Sequence, residues 1–67
     1  MNDLVENLIL EFKKQKIIRG NLYDNFMFYS YEVLGANKND KYKGTRASIL
    51  HYMTQNKNEI LLRLTRD

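Results

Sequence analysis

The stretch Leu22–Leu34, LYDNFMFYSYEVL, decides the fold. Gly20-Asn21 interrupts the pattern before it, Asn21 can accept a hydrogen bond from a first-turn amide, and Gly35 supplies a left-handed stop, so the stretch reads as a helix. At about 100° per residue, Leu22, Tyr23, Phe26, Met27, Tyr29, Val33 and Leu34 fall in one broad arc, with Ser30 the polar residue among them. Phe28 and Tyr31 fall on the other side, beside Asp24, Asn25 and Glu32. Rings among carboxylates have two readings. In one, the helix is central and buried on most sides. In the other, the rings form a contact surface for a protein partner or a second copy, because exposed aromatics are enriched where proteins meet.

Upstream, Asn2 or Asp3 can cap a first helix expected from Asp3 to about Ile18, with Glu6 near its positive end. Leu4, Val5, Leu8, Ile9 and Phe12 make its buried stripe. Leu10 and Ile17, seven residues apart, lie off that stripe as a second apolar seam. The seam either faces another part of the bundle or extends the surface made by Phe28 and Tyr31. The helix closes in KKQKIIR, where Lys13, Lys14, Lys16 and Arg19 complement the negative end of the dipole and offer, as an alternative, a phosphate-attracting cluster.

Downstream, GANKNDKYKG between Gly35 and Gly44 reads as a loop. Lys38, Lys41, Lys43 and Arg46 stand before or within the start of the next helix, and they are the candidate nucleic-acid contacts. A solvated, charge-rich connection explains the same residues. Helix-turn-helix readers join their helices through a turn of roughly 3–4 residues, far shorter than this loop, so no family is assigned. Thr45 is the expected cap of a last helix running to about Thr65, with Ile49, Leu50, Met53, Ile60, Leu61 and Leu64 in one arc. Lys57 intrudes on the arc, its stem able to lie on apolar surface. The coherent stripe favours one continuous helix, whereas Asn56 and Glu59, at capping-box spacing, favour a break and a fourth short helix.

Sixty-seven residues make one domain, residues 1–67, and a chain this short buries only about 60% of its unfolded surface, so self-association would add to a small core. With 43% hydrophobic and 28% charged residues, no Pro and three Gly, the composition is that of a folded helical protein. The absence of Cys excludes disulfides, thiolate-bound zinc and thiol catalysis, and fits a reducing, cytoplasmic setting. The N-terminal segment carries carboxylates inside its apolar run, unlike a signal peptide, and no apolar stretch approaches the ~20 residues that span a bilayer, so no membrane partner is expected. A net charge of +3 points mildly toward anionic partners.

Little chemistry is on offer. His51 stands alone on the polar side of the last helix, with no second imidazole to share a metal. Ser30 and Ser48 have no base at a spacing that suggests a nucleophile, and Asp24 and Glu32 lie about 12 Å apart along their helix. No phosphate-cradling loop, EF-hand or dinucleotide fingerprint is present. The expectation is an all-α, compact three-helix domain, with a fourth short helix if the chain breaks near Asn56. It has no catalytic residue, cofactor, metal or small-molecule substrate, and it acts by binding a protein partner or itself through Leu10, Ile17, Phe28 and Tyr31. The alternative is a basic nucleic-acid-binding regulator using Lys38, Lys41, Lys43 and Arg46.

Overall fold

The computed structural model describes residues 3–17, 20–35 and 42–66. Four helices follow one another: α1 (Asp3–Lys14), α2 (Leu22–Gly35), α3 (Arg46–Gln55) and α4 (Lys57–Thr65). The all-helical expectation holds, with the fourth helix realised. The core joins Val5, Leu8, Ile9 and Phe12 of α1 to Phe26 and Leu34 of α2, Ile49 and Met53 of α3, and Ile60 and Leu64 of α4. Its centre is aromatic. The Phe12 ring meets Phe26 edge-on at 5.4 Å and Tyr29 at 5.5 Å between centroids, geometries that add to the area the rings bury.

The start of α2 follows from its sequence: Asn21 Oδ1 accepts from the Asp24 amide at 3.0 Å and the Asn21 carbonyl accepts from the Asn25 amide at 3.0 Å. Its end does not. Gly35 is the last helical residue and does not take the left-handed conformation expected of it; Gly20 and Gly44 do, at φ 72° and 85°. The Ser30 side chain is buried in the core with its hydroxyl unpaired. Because an unsatisfied buried hydroxyl costs about 1–3 kcal/mol and Ala is the better helix former, Ser30→Ala should stabilise the protein by about 1 kcal/mol in denaturant unfolding.

Helix α1 stops at Lys14, short of the expected Ile18. The amides of Gln15 and Lys16 bond back to the Phe12 and Lys13 carbonyls at 2.9 and 3.2 Å, tightening the last turn, and Lys16 then turns left-handed at φ 55°. The run KKQK after Phe12 has no apolar side chain to hold another turn on the core. Lys13 does not serve its own helix's dipole alone: its ammonium donates to the Arg63 and Arg66 carbonyls at the end of α4. With the Glu6–Arg63 ion pair, this fastens α4 along α1.

The expected continuous last helix is broken at Asn56. That residue leaves helical geometry (φ −118°, ψ 40°), and both its backbone amide and its side-chain amide donate to the Tyr52 carbonyl, at 3.0 and 2.8 Å. The side chain therefore closes α3 and does not cap α4, so the capping-box spacing is not used as one. The apolar stripe survives because Met53 and Ile60 are seven residues apart, nearly two turns. Tyr23 donates its hydroxyl to the Met53 carbonyl at 3.2 Å, and the Lys57 ammonium sits 5.2 Å from the centre of the Tyr23 ring. Thr45 is not the side-chain cap expected for α3; its hydroxyl donates back to the Tyr42 carbonyl at 3.2 Å.

Tyr42, assigned from sequence to a solvated loop, is buried with the core at 4% exposure. Burial raises the pKa of Tyr42, with Glu11 adding to it; burial also raises Tyr23, with Tyr31 and Asp24 adding, and Tyr29, with Glu11 and Tyr42 adding. The folded state thus holds these protons more tightly than the unfolded chain, so above the ordinary tyrosine value it binds more protons. The sign is a loss: stability conferred by the neutral phenols is intact below pH about 10 and falls as pH rises beyond it. Thermal melts between pH 8 and 11 should show the melting temperature declining above pH about 10, and Tyr42→Phe should blunt that decline.

Candidate protein-interaction face

On α2 the buried row Phe26, Ser30 and Leu34 fixes which way the helix faces. Phe28, two residues after Phe26, must project about 200° away from it, and Tyr31 lies some 60° from Phe28 on the helical wheel. The structure agrees: Phe28 is 68% and Tyr31 56% exposed, while Tyr23, Met27, Tyr29 and Val33 pack against the core. Exposed Asp24 and Glu32 stand one turn to either side of Phe28. Helix α2 contains no Lys or Arg. Its outer face therefore carries two rings and two carboxylates on a chain whose net charge is +3.

The four sequence-chosen interface residues are all exposed, and they lie on α1, on α2 and in the segment between them. Phe28 and Tyr31 are neighbours on α2. Leu10 projects from α1 on the side opposite Val5, Ile9 and Phe12. Ile17 lies beyond the end of α1, at an open hollow of about 600 Å³ shared with Phe12, Leu22 and Leu64. Leu62, exposed on the outer side of α4 opposite Ile60 and Leu64, belongs with Leu10 as a single outward apolar residue; the same wheel that found Leu10 would have found it. Scattered residues of this kind are ordinary, whereas the adjacent pair on α2 is concentrated.

Of the candidate nucleic-acid contacts, Lys38 and Lys41 lie outside the described residues, as does Arg19. Lys43 is exposed in the turn before α3. Arg46 is half-buried at the first position of α3, its Nε enclosed and unpaired. Lys14 pairs with Glu11 at 3.1 Å on the surface, a contact worth little in water. His51 is exposed. Among the described residues no group of three or more His, Cys, Asp or Glu is placed to hold a metal ion, and no helix is long and apolar enough to cross a membrane. No family model, curated protein or solved structure matches the chain.

Proposed function

We propose that the protein is a small non-enzymatic regulator that acts by binding a protein partner, with the outer face of α2 as the contact surface. The observation that carries this reading is the pair Phe28 and Tyr31, two large rings left in water side by side on a helix whose other aromatics are all packed inward. Aromatic side chains in such positions are the usual anchors of interfaces, each able to account for a large share of the binding energy when covered. Leu10, Ile17 and Leu62 lie outside α2, each as a single exposed apolar residue there. Of the cations of the nucleic-acid alternative, Lys43 is exposed and Arg46 half-buried.

The test is the double variant Phe28→Ser/Tyr31→Ser. Crosslinking of protein added to host extract, across concentration, should give conjugates with the wild type and none with the variant. Conjugates that persist in the variant place the contact surface elsewhere.

A further inference from the structure

We infer that the α2 face is built for a basic partner segment, one that carries an apolar side chain between two lysines or arginines, and that it does not pair with a second copy of itself. The inference rests on the proposed contact surface and names the chemistry that surface selects. Three observations bear on it. The first is charge: Asp24 and Glu32 bracket Phe28, and no cation on α2 neutralises either. The Lys57 ammonium is engaged with the Tyr23 ring, 5.2 Å from its centre.

The second is what symmetry would do. A two-fold pairing of α2 helices centred on Phe28 sets residue 24 against residue 32 of the copy if the helices run antiparallel, and like against like if they run parallel. Either way carboxylate meets carboxylate, an arrangement that disfavours association. A partner with cations about 12 Å apart relieves it, a spacing that a helix supplies with residues roughly two turns apart on the same side. The rings can also receive a guanidinium or ammonium on their faces.

The third is the position of Glu32. It lies in the last turn of α2, where the helix dipole favours cations, and it is exposed with no ion-pair partner among the described residues. Its charge opposes the dipole of the helix that carries it. A carboxylate that disfavours its own helix and stands beside an exposed ring is accounted for by a cation brought from outside. The same face repels duplex nucleic acid and anionic lipid.

The probe is a synthetic amphipathic helical peptide with leucines along one side and lysines flanking them, dye-labelled and titrated with the full chain in fluorescence anisotropy, beside a counterpart with glutamates for the lysines. The lysine peptide should bind and the glutamate peptide should not, and binding should weaken as salt rises from about 50 to 500 mM. Asp24→Asn/Glu32→Gln should weaken binding by about fivefold to tenfold, as expected for two exposed ion pairs. Its helical signal should be unchanged, with a melting temperature close to that of the wild type, because Asp24 in the first turn of α2 favours the dipole and Glu32 in the last opposes it. Phe28→Ser should weaken binding more than about tenfold. Equal binding of the two peptides, or undiminished binding by the carboxylate variant, overturns the charge inference while leaving the contact surface intact provided Phe28→Ser still matters. Binding indifferent to Phe28→Ser overturns both. A dimer in sedimentation equilibrium that the Phe28→Ser/Tyr31→Ser variant loses would likewise contradict the symmetry argument.

Discussion

Phe26→Ala should unfold the protein or leave it barely folded at 25 °C. The ring is fully buried, meets Phe12 edge-on, and belongs to a helix that contacts all three of the others. Truncating a buried Phe costs about 3–5 kcal/mol through lost burial and the cavity left behind. The entire stability of a chain this size is on the order of 3–10 kcal/mol at about 0.05–0.15 kcal/mol per residue. Neighbouring side chains have little room to collapse into the space, since the rings of Phe12 and Tyr29 already meet at a tilt, 5.5 Å between centroids. Far-UV circular dichroism with urea titration checks the loss: the variant's midpoint should fall to near zero denaturant. A midpoint within about 0.5 M of the wild type would mean that the aromatic centre is not where the core is held.

Tyr42→Ala should cost almost as much, about 3 kcal/mol, although the residue lies in a 3-10 turn outside the four α-helices. Its side chain is as well covered as Leu64 and packs in the same cluster as the helices. It therefore fixes where the chain re-enters the core before α3. Tyr42→Phe, which keeps the ring, should cost far less, so the ratio of the two losses separates packing from the hydroxyl. Urea unfolding of both variants measures it; equal losses would assign the residue's contribution to its hydroxyl.

Tyr42 also marks where sequence reading stops. Lysines and glycine surround it, so nothing local distinguishes a buried ring from a solvated one, and its burial is created by three-dimensional closure. Asn56 is a different case. A stripe with positions seven apart serves one helix or two, and the choice turns on whether the Asn56 amides take the Tyr52 carbonyl, a geometry that spacing does not encode. The end of α1 was similarly hidden, because KKQK is a good helical sequence that merely lacks a hold on the core.

The candidate face was legible because it depends on direction alone. Once Phe26, Ser30 and Leu34 point inward, period and chirality send Phe28 outward. Joining Leu10 and Ile17 to it required knowing how α1 lies against α2, which no single-helix wheel contains. The same limit explains why Lys13 was assigned to its own helix's dipole when its ammonium closes the end of α4.

The proposed function requires Phe28 and Tyr31 to stand outside the core of the folded monomer. Urea unfolding of Phe28→Ser/Tyr31→Ser beside the wild type tests that most directly. Each substitution should change stability by no more than about 0.5 kcal/mol, as surface changes do, with the helical signal retained. A loss approaching that of Phe26→Ala would show both rings to be core and would remove the face on which the proposed function stands.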